Sequence, residues 1–368
     1  MKSSSISNSN AMLLGLRKWA ATVLIVVVFA SVVYYGWDGW EYYQPGSDHR
    51  ETCWAERQSD YWAYIRWLKT ARERYPVLLL GDSVIWGQEV DNDETISHYI
   101  NRFLGEDLVA NAGNDGLHMA GINGIVTHYG DNFDGANVIV QFSPLWIGNL
   151  TRDLRGERKS RPHHPQLIPQ LDPRINYYND LNTRIGYLSE YVFPIFPFVR
   201  HIMVNYFNNK SISKWVMDNP YSNPFAAINF VATPVMAKSQ GASIDWITKK
   251  MKMSSDPFID IDDSIQFECF MHALETLRTD RNANVFILLG PFNEYHLLPD
   301  SHDGFDRVLD QAKARFAEMG IPFYDTREAG IPSDTFADSC HLLREGHVTL
   351  ARGLTGSVAF REWIDALR

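Results

Sequence analysis

A serine, a histidine and an aspartate stand where they can act together in acyl transfer. Ser83 directly follows an apolar run and a glycine, in the sequence VLLLGDS at residues 77–83. A hydroxyl is a poor nucleophile at neutral pH and needs a base, for which His341 near the chain end is a candidate. Asp338, three residues earlier, can hold the imidazole in the right tautomer. This spacing favours a Ser83–His341–Asp338 triad.

Short apolar runs alternate with amphipathic helical patterns around these residues. A continuous apolar run that stops at a glycine is typical of a buried parallel strand. Strands are predicted at 77–80, 107–111, 136–142, 284–289 and 321–324. Helices are predicted at 58–75, 96–104, 119–129, 265–277, 304–319 and 345–367. The alternation predicts an α/β fold in which about five parallel strands are covered by helices on both faces.

The turns after these strands should meet at one edge of the sheet, where open α/β sheets bind ligands. They carry Ser83, Gly116, Ser143, Asn293 and the 338–341 loop. A developing oxyanion needs preorganised donors, and we expect the backbone N–H groups of Ser83 and Gly116 to supply them. The alternative for Ser83 is a helix cap, a common role of serine. His347 is expected on the surface of the last helix.

These motifs resemble those of the SGNH, or GDSL-type, hydrolases. The GDS at 81–83 matches the block with the nucleophile, NAGNDG at 111–116 looks like the second block, and DSCH at 338–341 matches the DxxH of the fifth. The resemblance covers roughly residues 75–144 and 264–368. It implies a flavodoxin-like, three-layer fold, with Ser83 as nucleophile, His341 as base, Asp338 as orienting acid and Gly116 as an oxyanion donor.

One block departs from the family pattern. The third block usually ends its strand with GxND, whose Asn completes the oxyanion hole, but this chain continues as QFSPLW at 141–146. Ser143, Gln141 and Asn114 are the candidate substitutes. The departure is similar to that of divergent, membrane-anchored members that work beside membrane-bound O-acyltransferases. The resemblance then implies transfer or removal of acyl groups, such as acetyl, on an extracellular polysaccharide or cell-envelope polymer.

An uncharged run at residues 19–37 follows Arg17 and Lys18 and has aromatic residues at both ends. Its length is close to the roughly 20 residues of a spanning helix. The positive-inside rule places the N-terminus in the cytoplasm and the rest of the chain in the periplasm or outside the cell. A cleaved signal peptide is the alternative.

The predicted organisation has five parts. They are a disordered cytoplasmic N-terminus (1–18), an anchor (19–37), a juxtamembrane helical segment (38–74), a hydrolase domain (75–144 and 264–368) and an inserted, mostly helical lid or docking subdomain (145–263). In the insertion, the apolar stretch Tyr191 to Phe207 is interrupted by Pro194 and Pro197. It is expected either to face the membrane or a partner in it, or to fill the core of the insertion.

Composition argues against other classes of function. The net charge is -10 and no basic stripe is present, which argues against a nucleic-acid partner. Cys53, Cys269 and Cys340 lack zinc spacing, and neither His163-His164 nor the Asp260–Asp263 cluster has a fourth ligand nearby in sequence. We therefore expect no metal and no cofactor. The alternative to an enzyme is a membrane-tethered glycan-binding or scaffold protein that supports a membrane-bound O-acyltransferase.

Overall fold

The computed structural model describes residues 15–53, 59–156, 163–177, 179–232 and 256–367. The chain divides into two compact units. The first consists of Met1–Gln44 with Asn223–Thr233, and the second of Pro45–Ser222 with Pro234–Arg368. The first fourteen residues of the predicted disordered N-terminus, and residues 233–255 of the predicted insertion, lie outside the described residues.

The first unit contains one long apolar helix, α1 (Leu16–Trp40). Its 25 residues and a mean hydropathy of 2.0 are sufficient for a membrane span, although a signal sequence would have the same properties. The end of α1 contacts the segment 223–232, which includes the short helix Pro224–Ala227. The rings of Trp37 and Phe230 are 5.2 Å apart, and the N–H of Tyr42 donates to the carbonyl of Phe230 at 2.8 Å.

Five parallel strands form the sheet of the second unit. They are β1 (Val77–Leu80), β2 (Val109–Asn111), β3 (Asn137–Phe142), β4 (Asn284–Leu289) and β5 (Phe323–Asp325). Their order, β2-β1-β3-β4-β5, is that of flavodoxin-like sheets. All four pairings are parallel, so the carboxyl ends of the strands lie at one edge. The predicted α/β fold with a parallel sheet is confirmed.

Helices cover both faces of this sheet. Side chains of a strand point alternately to its two faces, so Leu78 and Leu80 enter one apolar core while Val77 and Leu79 enter the other. The first core takes side chains from α2 (Tyr61–Arg74), α5 (Met119–His128), α10 (Ile265–Glu275) and α11 (Pro299–Glu318). The second takes them from α4 (Ile96–Leu104), α12 (Arg344–Gly356) and α13 (Val358–Asp365). The unit therefore has three layers.

The C-terminal helical region differs from its prediction. One helix was expected over 345–367, but α12 ends at Gly356 and α13 begins at Val358. Ser357 between them has an extended backbone, and its side chain accepts from the N–H of Phe360. Serine favours such capping because its hydroxyl satisfies an orphan N–H of the new helix. The apolar periodicity continues through this break, which is why the pattern alone did not reveal it.

The described part of the predicted insertion contains α6 (Leu181–Val192), α7 (Ile195–Tyr206) and α8 (Ile212–Asp218). Pro197 lies in the first turn of α7, where the missing N–H costs no helical hydrogen bond. The stretch Tyr191 to Phe207 presents two different faces. Phe198 is buried and its ring lies 5.7 Å from that of Trp62, whereas Phe196 is 47% exposed. One face of this stretch is therefore core, and the other is apolar surface.

Candidate functional site

Ser83 lies at the carboxyl end of β1, as the first residue of the short helix α3 (Ser83–Trp86). The helix is capped by Asp82, whose carboxylate accepts from the N–H of Val84 at 2.9 Å. The helix cap, which was the alternative role for Ser83, is therefore Asp82. Gly81 allows the turn, because a Cβ there would lie 2.4 Å from the side-chain oxygen of Gln141. The Ser83 hydroxyl is left to make a contact of its own.

That contact is with His341. Ser83 Oγ lies 2.7 Å from His341 Nε2, and His341 Nδ1 lies 2.6 Å from Asp338 Oδ2. The other carboxylate oxygen of Asp338 accepts from the N–H groups of Cys340 and His341, each at 2.9 Å. These bonds fix the carboxylate and the ring, so that Nε2 points at the serine. The three predicted catalytic residues are thus joined in one hydrogen-bonded chain.

The electrostatics of this chain favour a strong base. Burial alone would lower the pKa of His341, but the neighbouring Cys340 and the hydrogen bond and charge of Asp338 hold it well above its usual value. Burial would likewise raise the pKa of Asp338, yet the hydrogen bonds from His341 and the backbone bring it down to about 2. Asp338 is therefore ionised at neutral pH and stabilises a protonated imidazole.

The loop that carries Asp338 and His341 is held from two sides. Phe336 and Leu342 pair as an antiparallel bridge, and the N–H of Ala337 donates to the carbonyl of His341 at 2.8 Å. Asn293, which follows β4, donates its backbone N–H to the carbonyl of Ser339 at 2.8 Å. The turn after β4 therefore supports the loop of Asp338 and His341, as expected from the parallel sheet.

Gly116 lies in a turn that is hydrogen-bonded to the nucleophile turn, since the N–H of Asn114 donates to the carbonyl of Gly81 at 3.0 Å. Its φ of +73° suits glycine, and a Cβ would lie 2.6 Å from Nδ1 of His163. No hydrogen bond to another described residue uses the backbone N–H of Ser83 or of Gly116. Both N–H groups are therefore available to a ligand.

Two of the three candidate substitutes for the missing Asn are occupied elsewhere. Gln141 accepts from the N–H of Asp82 at 2.9 Å and donates to the carbonyl of Gly290 at 3.2 Å. The amide of Asn114 accepts from the hydroxyl of Thr52 at 2.9 Å and donates to the sulfur of Cys53 at 2.8 Å. Both amides are buried, and these bonds hold the turns of Asp82 and Asn114 in place.

Ser143 differs from these two amides. Its hydroxyl is buried, has no hydrogen bond of good geometry among the described residues, and lies near enough to Asp82 to lower the pKa of that carboxyl. Burial is the larger effect on Asp82 and raises its pKa overall. The indole N–H of Trp146 also approaches Asp82 Oδ2, at 3.4 Å. Of the three candidates, Ser143 is the one without a hydrogen bond of good geometry to another described residue, and its hydroxyl is buried as deeply as the two amides.

Sequence reasoning did not find Arg50. This residue is 1% exposed, and its guanidinium lies over the ring of Trp86 at 4.8 Å and donates to the carbonyls of Trp86 at 2.7 Å and Val90 at 2.6 Å. A third carbonyl, that of Gly87, accepts from the same group. Arg50 thus clamps the segment that follows the nucleophile helix. No motif marks this arginine, because its partners are backbone atoms some 40 residues further along the chain.

The expectation for His347 was wrong. It is 1% exposed, and burial, with smaller contributions from Arg50 and His341, lowers its pKa to about 3. The signal that could have found it is its place on the apolar face of α12, one turn before Leu350 and Ala351. His347 is therefore a buried, neutral imidazole in the neighbourhood of His341.

Asp338, Cys340 and His341 also form the one described cluster whose ligand atoms lie close enough, within 4.8 Å, to hold a metal ion. Two of those ligand atoms are joined by the 2.6 Å hydrogen bond of the triad, which leaves no space for an ion between them. The cluster is better explained as part of the catalytic chain.

The chain was also compared with known proteins. No protein-family model matches it, and a search of the curated proteins gives no match.

Proposed function

We propose that this protein is a serine-dependent ester hydrolase or O-acyltransferase of the SGNH, or GDSL, type. The observation that carries the proposal is the hydrogen-bonded chain from Ser83 through His341 to Asp338, with distances of 2.7 and 2.6 Å. It lies at the edge of the sheet where the carboxyl ends of all five strands meet. The flavodoxin-like strand order also supports membership of this class.

In this reaction His341 Nε2 takes the proton of the Ser83 hydroxyl while Oγ attacks the acyl carbonyl carbon. The backbone N–H groups of Ser83 and Gly116 stabilise the oxyanion. When the intermediate collapses, the ester C–O bond breaks and His341 gives its proton to the departing alcohol oxygen. Water or a sugar hydroxyl then donates its proton to His341 and attacks the acyl-serine, and the proton finally returns to Ser83. The choice of acceptor distinguishes hydrolysis from transfer.

The proposed substrates are acyl esters, acetyl among them, of an extracellular polysaccharide or cell-envelope polymer. We propose that helix α1 is an uncleaved anchor that holds the catalytic unit in the periplasm or outside the cell, beside a membrane-bound O-acyltransferase. Such a location supports a substrate in the cell envelope. Trp146 next to the nucleophile turn supports a sugar-containing substrate, because its half-buried ring gives a sugar an apolar surface to lie on.

A second candidate function is a catalytically degenerate scaffold or glycan-binding protein for the same O-acyltransferase. One observation favours it: the amides of Gln141 and Asn114 are buried and donate to Gly290 and Cys53, which argues against either as a substitute for the Asn donor of the family.

A fluorophosphonate probe separates the two functions, because it labels only an activated serine. We expect labelling of the wild-type protein and of Ser339→Ala, and none of Ser83→Ala. Ser339 is a matched control, since it lies in the catalytic loop but outside the triad. A wild-type protein that is folded and not labelled would support the scaffold instead.

A further inference from the structure

We propose that the segment 223–232 and the residues at the end of α1 together form a second contact with the lipid bilayer, at the depth of the headgroups. We call this surface the interfacial foot. The proposal rests on the membrane anchoring that is part of the proposed function. It adds a second membrane contact, made by a segment that is far from the anchor in sequence.

The foot has a defined internal structure. Phe230 lies between two tryptophans of α1, with ring centroids 5.2 Å from Trp37 and 6.5 Å from Trp40. The backbone of Tyr42 pairs with Val231 in a parallel bridge and donates to the carbonyl of Phe230 at 2.8 Å. The segment is thus fixed to the end of α1 by both side-chain and backbone contacts.

The surface that the foot presents to solvent is mostly apolar, and Asp38 at the end of α1 is an exposed charge within it. The segment 223–232 reads NPFAAINFVA and has no charged residue. Phe225 is 82% exposed and Val231 48%, while Trp40 and Tyr42 beside them are 50% and 61% exposed. Exposed apolar surface of this kind usually marks an interaction site.

The contacts with α1 also place the foot relative to a bilayer. A helix of 25 residues is about 37 Å long, whereas the hydrocarbon core is about 30 Å thick. The last turn of a spanning α1 therefore reaches the interface, where Trp and Tyr are enriched. Since Phe230 touches Trp37 and Trp40, it lies at the same depth, and the exposed ring of Phe225 is close to it in sequence. The occupant that fits this surface is the boundary between headgroups and acyl chains.

The test uses the full chain in phosphatidylcholine–phosphatidylglycerol vesicles, with one environment-sensitive fluorophore on an introduced cysteine. The three native cysteines are buried and do not compete for the label. Phe225→Cys reports on the foot, Val26→Cys on the middle of α1, and Val358→Cys on an exposed site of the catalytic unit. All three side chains are exposed, so the substitutions leave the packing intact.

Nitroxide groups on the lipids then measure depth. We expect the label at 225 to be quenched by nitroxides near the carbonyl end of the acyl chains, the label at 26 by nitroxides near the methyl end, and the label at 358 by neither. If the label at 26 is quenched and the label at 225 is not quenched, like that at 358, the anchoring is supported and the foot is refuted. The same holds if 225 is shielded from solvent without any lipid quenching, which would indicate a protein partner or a second copy. If 26 is not quenched, the anchoring itself fails, and the foot with it.

Discussion

Oγ of Ser83 lies 2.7 Å from Nε2 of His341, although 258 positions separate the two residues in the chain. Ser83 is fixed by the end of β1, and His341 by a loop that Asn293 supports from the end of β4. Ser83→Ala and His341→Ala should each lower the rate by about 10⁴–10⁶-fold, and the double variant should be no worse than either, because triad members act as a unit. Initial rates on an acetyl ester measure this, with circular dichroism as the control for folding. Additive losses would contradict a shared triad.

The pH dependence should show a raised base pKa. His341 must be neutral to accept the serine proton, so activity falls as the pH drops below its pKa. Because Asp338 holds that pKa above the usual value of about 6.5, the acid limb of kcat/KM should lie above this pH. Asp338→Asn removes the charge, and should move the limb to lower pH and reduce the maximal rate by about 10⁴-fold. An acid limb that does not move in this variant would argue against Asp338 as the orienting group.

Ser143→Ala and Gln141→Ala should affect different properties. Loss of the Ser143 hydroxyl should lower kcat by about 10²-fold with little change in KM, as for one oxyanion donor. Gln141→Ala removes two buried hydrogen bonds and leaves the N–H of Asp82 unpaired, so it should destabilise the fold by about 1–3 kcal/mol. Kinetics and urea unfolding of both variants check this. Equal kcat for wild type and Ser143→Ala would exclude the hydroxyl as a donor.

The two phenylalanines of α7 should respond differently to charge. Phe198→Asp places a carboxylate in a buried site against Trp62, and we expect a loss of about 3–5 kcal/mol and a much lower Tm. Phe196→Asp is the matched control, because its side chain is 47% exposed and the stability should change by about 0.5 kcal/mol or less. Thermal melting of each single variant gives the answer. A similar loss in both would mean that the outer face is also buried in the protein in solution.

The orientation in the membrane is open to a direct test. Arg17 and Lys18 precede the apolar run, so the C-terminus should lie outside the cytoplasm. A C-terminal alkaline phosphatase fusion, which is active only after export, should be active, and a C-terminal fusion that fluoresces only in the cytoplasm should be dark. The reverse result would overturn the orientation, and with it the location of the proposed substrate.

The sequence was informative where local patterns set the structure. The run VLLL ending at Gly81 and the run NVFILL both gave strands at their predicted positions, because a short apolar stretch can be satisfied in a parallel sheet. The spacing of Asp338 and His341 was also sufficient to anticipate their hydrogen bond. These features depend on neighbours within a few residues, or on the general rule that the carboxyl ends of parallel strands lie at the same edge of a sheet.

Other features depend on contacts that no local pattern contains. The sequence around Gln141 does not indicate that its amide supports the turn of Asp82. The sequence around Asn114 likewise does not indicate that this residue binds residues 52–53. Both were therefore candidates for the oxyanion hole. Tertiary packing decides the roles of these amides, and it is visible only once the partners are known. The break at Ser357 is local by contrast, since its side chain caps the N–H of Phe360, but the apolar periodicity continues across it and conceals the break.

The clamp of Arg50 has a practical consequence for any soluble form of this protein. A version that begins at α2 or β1 would lack the arginine and leave the carbonyls of Trp86 and Val90 buried without a donor, at a cost of about 1–3 kcal/mol each. It would also lose the hydroxyl of Thr52, which bonds the amide of Asn114 beside the Gly116 turn. Truncation meant only to remove α1 should therefore stop ahead of Pro45, since a shorter fragment would lose these contacts as well.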